Sequence, residues 1–246
     1  MAGHSKWANI KHRKAVTDSR RGKLFTRISK EIIVAAKLGG GDADGNPRLR
    51  MAMLTARGVS MSNETIKRAI QRGTGELEGV SYEDVRYEGY GPGGVAFIVE
   101  CTTDKPHRTV AELRATFSKC DGNLGESNSV AWNFVRKGAL TLTTTLAEEA
   151  VIELAVEAGA DDVLMTDEGA VVHCGVDALG LCQNFFHAKG VLVTEARYDY
   201  EPNTLISVTD ASVVKKLTKL IDMLDDNDDV QNVHNNASVD DALFDA

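Results

Sequence analysis

Cationic side chains are the residues of this chain whose types and spacing point most directly to chemistry. The first thirty residues carry nine Lys or Arg against a single acid, Asp18, although the whole chain of 246 residues has a formal net charge of −8. A short basic segment on an acidic protein attracts a polyanion, while the remaining surface repels one. Planar rings at Trp7 and His12 lie among the cations and suit contacts with bases or sugars. The segment therefore indicates contact with nucleic acid or the ribosome, and the plainer alternative is a solvated tail.

The residues predicted to bind nucleic acid form two sets, one in the basic segment and one on a helix further along the chain. They are Lys6, Trp7, Lys11, His12, Arg13, Lys14, Arg20, Arg21 and Lys23 in the first set, and Lys67, Arg68 and Arg72 in the second. The second set would form the outer face of a recognition helix if the helices predicted on either side of residues 58–61 form a helix-turn-helix. A plain helical hairpin has the same spacing, so both interpretations stay open.

The histidines and cysteines form no catalytic or metal-binding pattern. The four cysteines are widely spaced without a CxxC pair, which predicts buried thiols in a reducing compartment. The six histidines form no ligand cluster, and no hydrolase elbow or kinase motif occurs. The acidic run Asp225–Asp229 lacks the Gly and the distal Glu of an EF-hand and is predicted to be a solvated helix end and turn. The sequence therefore predicts no enzymatic activity, no catalytic residue, no cofactor and no metal.

The composition predicts a folded cytoplasmic protein of several domains. Hydrophobic residues make up 43% of the chain, which supports packed cores. No apolar run reaches the length of a membrane span, and the N-terminus lacks the apolar core of a signal peptide, so no membrane contact is predicted. Residues 1–80 carry 16 basic and 7 acidic side chains, whereas residues 81–246 carry 12 and 29. This division predicts a domain boundary near residue 80.

Helical periodicity predicts three helices in the basic part of the chain. Apolar residues recur at helical spacing over residues 18–38, and the run ends at Gly39–Gly41. Asn46-Pro47 is a preferred start for a second helix, which ends at Gly58, and a third helix spans about residues 62–73. Because Gly39–Gly41 ends a helix and does not follow a strand, it is predicted to be a hinge or cap and not a phosphate-binding loop.

Alternating periodicity replaces the helical pattern after residue 80. Strands are predicted at residues 85–87 and 95–100 around a Gly-rich turn, followed by a helix at residues 105–119 and strands at about Ser129–Val135. Residues 138–200 show the order strand, helix, strand, strand, helix, strand, with the second and third strands at Asp162–Thr166 and Gly169–Cys174. This order is that of a ferredoxin-like domain. A strand, a helix and a further strand over residues 205–234 could complete the first sheet, which would make the ferredoxin-like domain an insertion.

The predicted fold class is a multidomain α and α+β protein, in which an N-terminal three-helix bundle precedes two α/β domains and the third domain is inserted in the second. The predicted boundaries are residues 1–80, residues 81–137 plus 205–240, and residues 138–204, with residues 241–246 as a tail. The acidic residues after Asn235 are predicted to be mobile.

Several stretches of this chain resemble one known family. They are Met1–Lys14, Ala35–Gly40 with Asn46–Leu49, Tyr87–Gly94, Arg108–Glu112 and Leu220–Leu224. In these stretches the chain resembles the YebC family, the bacterial proteins related to the mitochondrial translational activator of cytochrome c oxidase. The resemblance implies a helical first domain, two α/β domains with the third inserted in the second, and a non-enzymatic regulator of gene expression.

The resemblance leaves two descriptions of the function open. The first, which we take as the prediction, is a DNA-binding transcriptional regulator, and the second is a translation factor that contacts ribosomal RNA. Both descriptions use the basic N-terminal domain, so the charge pattern does not decide between them. An adaptor that binds only proteins and an enzyme with an unrecognised site are the alternatives from other classes.

Overall fold

The computed structural model of the chain describes residues 18–166, 169–240 and 243, with side chains from Gly22 onward. The chain consists of two compact units. The first comprises the described parts of Met1–Lys30, Gly79–Val135 and Pro202–Ala246, and the second comprises the described parts of Glu31–Glu78 and Arg136–Glu201.

Seven α-helices and ten strands occur in the described residues. The helices are α1 (Asp18–Gly39), α2 (Pro47–Gly58), α3 (Asn63–Thr74), α4 (Pro106–Lys119), α5 (Glu148–Glu157), α6 (Leu179–Ala188) and α7 (Ala211–Asp225). The strands are β1 (Glu83–Tyr90), β2 (Ala96–Thr103), β3 (Asn123–Leu124), β4 (Phe134–Thr143), β5 (Asp162–Thr166), β6 (Gly169–Cys174), β7 (Leu192–Pro202), β8 (Ile206–Val208), β9 (Val230–Asn235) and β10 (Ala237–Val239). This arrangement confirms the predicted α and α+β fold class, with a ferredoxin-like domain inserted in the second domain. The domain boundaries given above stay a prediction.

The first unit is built on a four-stranded antiparallel sheet of order β3-β1-β2-β9. Its core holds buried side chains of β2, α4 and α7, among them Phe97, Phe117 and Leu220. The rings of Phe97 and Phe117 meet edge to face, with centroids 5.8 Å apart. Strands from both sides of the insertion therefore complete one sheet, as the sequence predicts.

Two predictions for the first unit are wrong. A strand was expected over Ser129–Val135, but Ala131–Asn133 is a 3₁₀ turn and β4 begins only at Phe134. The reason is that backbone N–H groups of this segment bind the buried carboxylate of Glu88 and do not enter a ladder. The residues after Asn235 were expected to be mobile, but β10 pairs in parallel with β8. Burial of the apolar side chains of β10 explains this pairing.

The second unit contains the ferredoxin-like domain. Its sheet has the order β5-β6-β4-β7, in which the first and third strands of the motif are neighbours at the centre. The predicted strands Asp162–Thr166 and Gly169–Cys174 are confirmed at both ends. Side chains of β4, β6 and α6 form the core, including Leu140, Val172 and Phe186.

The helical part of the second unit comprises the end of α1 with α2 and α3. The predicted cap at the start of α2 is confirmed, because Asn46 Oδ1 accepts a hydrogen bond from the Leu49 N–H at 3.1 Å. The Asn46 amide also donates to the carbonyl oxygens of Ala35 and Gly40, each at 2.8 Å. Gly40 has a φ of +84°, which glycine adopts without strain. The Gly-rich segment therefore caps α1, as predicted.

Candidate nucleic-acid interface

The structure describes only some of the residues predicted to bind nucleic acid. Lys6, Trp7, Lys11, His12, Arg13 and Lys14 lie outside the described residues, so the structure gives no geometry for them. Arg20 and Arg21 lie near the start of α1, where the structure describes only the backbone. The remaining four residues lie in two places, with Lys23 on α1 and with Lys67, Arg68 and Arg72 on α3.

Three cations of α1 in the first unit, Lys23, Arg27 and Lys30, bind acidic and carbonyl groups of the chain itself. Lys23 Nζ contacts Asp226 Oδ1 at 3.1 Å, and Arg27 donates to the backbone carbonyl of Asp225. Lys23, Arg27 and Lys30 are spaced four and three residues apart, which places them on one helix face. That face contacts the turn after α7. Lys23 therefore already has an intramolecular partner, and its predicted role toward nucleic acid stays a prediction.

Lys30 and Asp229 form the buried centre of this contact. The side chains are 8% and 5% exposed, and Lys30 Nζ lies 2.8 Å from Asp229 Oδ1. Asp229 Oδ2 also accepts hydrogen bonds from Arg108 at 2.7 Å, Thr109 at 2.7 Å and Thr103 at 3.1 Å. The prediction of a solvated turn over Asp225–Asp229 is therefore wrong for Asp229. Donors from three separate segments meet its carboxylate, and no local sequence pattern indicates that meeting.

The electrostatics of Asp229 show that its charge is well compensated. Burial raises the pKa of Asp229, but hydrogen bonds from Lys30, Arg108 and Thr109 together with the charge of Lys30 outweigh burial. The pKa therefore lies well below its ordinary value, and the carboxylate is ionised in the folded protein. We interpret this group as a structural ion-pair network, because four side chains of the chain itself donate to the carboxylate.

Helix α3 carries two of the described cations that have no partner. Its buried side is formed by Ile66 and Ala69, so Lys67, Arg68 and Arg72 lie on the exposed side. Arg68 pairs with Glu64 across one turn at 2.7 Å. In contrast, the side chains of Lys67 and Arg72 have no ion-pair or hydrogen-bond partner among the residues that the structure describes. These two positive charges are therefore available to an anion.

Capping residues at both ends determine where α3 begins and ends. Ser62 Oγ accepts the backbone N–H of Thr65 at 3.2 Å and caps the N-terminus, and Gly75 ends the helix in the left-handed conformation at φ +81°. Arg57, in the last turn of α2, is also exposed without a partner in the described part of the chain. Arg57 is not among the residues that the sequence predicts to bind nucleic acid. Its position just before the turn to α3 is the signal that could have found it.

The Gly-rich motif Tyr87–Gly94 positions a loop. The side chain of Glu88 is 1% exposed, and its carboxylate accepts backbone N–H groups from Asn128, Val130 and Ala131 at 2.8–3.0 Å. Burial raises the pKa of Glu88, but these three donors and the charge of Arg86 outweigh burial and hold the pKa below its ordinary value. The motif therefore has a structural role in joining β1 to the loop before β4.

The same loop displays an aromatic side chain. Trp132 is 72% exposed, and its Nε1 donates to the carbonyl oxygen of Ser129 at 3.0 Å. The Tyr90 hydroxyl donates to that oxygen as well, also at 3.0 Å. Close packing restricts the motif, because a Cβ added to Gly91 would lie 2.5 Å from the Phe97 ring. The predicted tight turn is confirmed by Gly93 and Gly94, whose φ angles are +71° and +75°.

The cysteines are among the remaining chemistry-bearing residues that the structure describes. All four cysteines are free and buried, as predicted, and burial raises the pKa values of Cys101 and Cys174 to about 12. In the described residues no three His, Cys, Asp or Glu side chains are placed to hold a metal ion. Among these residues no helix is both long and apolar enough to cross a membrane.

Comparisons with known proteins cover almost the whole chain. Residues 5–76 match the N-terminal domain of the TACO1/YebC protein, and residues 82–237 match the TACO1/YebC second and third domain. A probable transcriptional regulatory protein of Myxococcus xanthus is 46% identical over 247 residues, which span 100% of this chain and 99% of that protein. A probable transcriptional regulatory protein of Geobacter sulfurreducens is 48% identical, over 97% of this chain and 96% of that protein.

A solved structure has the same fold. The crystal structure of a conserved hypothetical protein from Aquifex aeolicus aligns with a TM-score of 0.91 at 41% identity. The alignment covers 96% of this chain and 98% of that chain. The fold described above is therefore shared over nearly the full length of both proteins.

Proposed function

Because the chain belongs to the TACO1/YebC family, we propose that it is a nucleic-acid-binding regulator of gene expression that acts in the cytoplasm without enzymatic activity. Its first target in this proposal is duplex DNA, because relatives of the chain are described as probable transcriptional regulatory proteins. The observation that carries the proposal is the exposed face of α3, where Lys67 and Arg72 have no partner among the described residues.

The charge distribution supports a polyanionic partner. Lys23, Arg27 and Lys30 contact groups of the chain itself, whereas Lys67 and Arg72 do not within the described part. Binding of phosphates to unpaired surface cations is favourable, because such contacts release condensed counterions from the nucleic acid. The acidic remainder of the chain repels nucleic acid, so a bound strand is directed to the N-terminal domain.

The connection between α2 and α3 supports contact with a duplex. Gly58 ends α2 and Asn63 begins α3, so a four-residue turn joins the two helices. A turn of that length is typical of helix-turn-helix proteins, in which the second helix enters the major groove. On α3, Lys67 and Arg72 are then the cations expected to reach bases or phosphates.

The salt dependence of binding tests the proposal. The double variant Lys67→Ala with Arg72→Ala removes two cations, so we expect weaker binding to duplex DNA and a salt slope smaller by roughly 1.8, or about 0.9 per lost contact. The matched control is Arg114→Ala with Lys119→Ala on α4, where two exposed cations are removed from another domain. An unchanged slope in the α3 variant, or an equal loss in the control, would refute the proposal.

Ribosomal RNA is the second candidate target, and Glu64 is the observation that favours it. In a recognition helix the N-terminal residues contact base edges, but the first turn of α3 carries Glu64, whose side chain is 74% exposed. A carboxylate there repels the phosphates that flank the groove. Backbone contact through Lys67 and Arg72, which lie beyond that first turn, does not require the N-terminus of α3 to enter a groove and needs no base reading, so it favours a target other than a specific operator.

Competition between the two nucleic acids decides between the candidates. If DNA is the target, a duplex should displace ribosomal RNA from the protein, and changing Lys67 or Arg72 should alter sequence preference. If the ribosome is the target, the protein should co-sediment with ribosomes. The triple variant Lys11→Ala, Arg13→Ala and Lys14→Ala should then release it.

A further inference from the structure

A surface groove runs along one side of α3 in the second unit. Its volume is about 500 Å³, and it is lined along α3 from Asn63 to Thr74. At 1.5 Å per residue this part of the helix is about 16 Å long. The groove therefore lies along the same helix that carries Lys67 and Arg72.

The floor of the groove is apolar and its rim is polar. Met53, Ile66 and Ile70 contribute the apolar atoms, and Ile66 is only 3% exposed. Asn63, Lys67 and Gln71 contribute polar groups to the lining. They recur at spacings of four residues, so they follow one stripe of the helix.

The polar groups of this rim are available to a ligand. The side-chain amides of Asn63 and Gln71 form no hydrogen bond within the described part of the chain, and the same holds for Lys67 Nζ. An amide offers both a donor and an acceptor, which is what the edge of a nucleobase requires. An apolar floor below such a rim suits the flat face of a base, whereas a paired base inside a duplex cannot reach it.

Charge orients a strand in the groove. Lys67 lies on the rim, and Arg72 is exposed on the same helix. The acid Glu76 belongs to the lining beyond the C-terminal end of α3, where Thr74 Oγ1 contacts its carboxylate at 3.1 Å. Phosphates are therefore attracted to the part of the groove near Lys67 and repelled near Glu76.

We propose that this groove binds an unpaired nucleobase of a single-stranded segment, with the adjoining phosphates on Lys67 and Arg72. The inference rests on the proposed nucleic-acid function and specifies its ligand, because an exposed base needs a single strand, a loop or a locally opened duplex. DNA and RNA present the same chemistry to the groove apart from the 2′-hydroxyl.

Two groove variants test this inference without touching the cations. Gln71→Ala removes the amide, and Met53→Ala removes apolar atoms that α2 contributes to the groove. The probes are a single-stranded DNA, a single-stranded RNA of the same sequence, and the matching duplex DNA. Gln71→Ala should weaken single-strand binding about two- to tenfold, the range for one lost net hydrogen bond. Its salt slope should not change, because no phosphate contact is lost.

The control and the readout keep this test separate from the test of the proposed function. Gln183→Ala on α6 is the same substitution in another domain and should change nothing. A 2-aminopurine base in the single strand should report a change in stacking with the unaltered protein and lose that change in both groove variants.

If both variants bind single strands as the unaltered protein does, or if they weaken the binding of single strands and of duplex equally, the inference is wrong. If the cation variant on α3 also binds normally, the proposed function fails with it.

Discussion

Replacing Asp229 by Asn should destabilise the first unit far more than its place in an acidic turn indicates. The side chain is 5% exposed, and its two carboxylate oxygens accept from Lys30, Arg108, Thr109 and Thr103. An amide keeps the shape but presents N–H groups to donors, and the buried ammonium of Lys30 loses its counter-charge. Removing one partner of a buried pair costs about 3–5 kcal/mol. With a urea m-value of about 2 kcal/mol/M, the midpoint should fall by about 1.5–2.5 M.

Trp132 provides the assay. The chain has two tryptophans, so a Trp7→Phe background leaves Trp132, which lies in the same unit as Asp229, as the fluorescent reporter. Asp226→Asn is the matched control, because Asp226 lies in the same turn but its side chain is 73% exposed. A surface pair of that kind contributes less than about 1 kcal/mol. Equal small shifts for the two variants would refute the reasoning.

The pH dependence gives a second check on Asp229. Its pKa is lower in the folded chain than in the unfolded chain. The stabilisation from ionised Asp229 is therefore complete above the unfolded value of about 4 and is lost as the pH falls through the folded value. The difference in unfolding free energy between the unaltered protein and Asp229→Asn should be constant near neutral pH and shrink in acid. A difference that grows as the pH falls below 4 would contradict the assignment.

Three further predictions concern the first unit. Glu88→Gln should cost about 1–3 kcal/mol, because one of the three backbone N–H donors loses its acceptor, and urea unfolding should show the loss. Gly91→Ala should cost about 1–3 kcal/mol by overpacking against Phe97, whereas the same change at exposed Gly94 tests backbone strain alone. Cys101, with its pKa raised to about 12, should react with a thiol reagent at pH 8 only as fast as the protein unfolds.

The sequence predicted features that depend on neighbouring residues. Asn46 caps α2 through Leu49 three residues away, and the strands predicted at Asp162–Thr166 and Gly169–Cys174 have the observed bounds of β5 and β6. The charge asymmetry between the first 80 residues and the rest also needs no structure. Such features are encoded within one or two turns of chain, so propensity and periodicity are sufficient to find them.

Only the tertiary structure decided which charges are already used. Lys23 and Lys30 belong to the basic segment by sequence, yet their partners Asp226 and Asp229 lie 203 and 199 residues further along the chain. The carboxylate of Glu88 likewise accepts the backbone N–H of Val130, 42 residues away. The segment around Val130 forms a turn, although a strand was predicted there. Pairing over such distances depends on how the sheet and helices bring segments together. The amino-acid sequence alone therefore determined that this protein carries a basic N-terminal part. The fold determined that Lys67 and Arg72 have no partner among the described residues and can bind an anion.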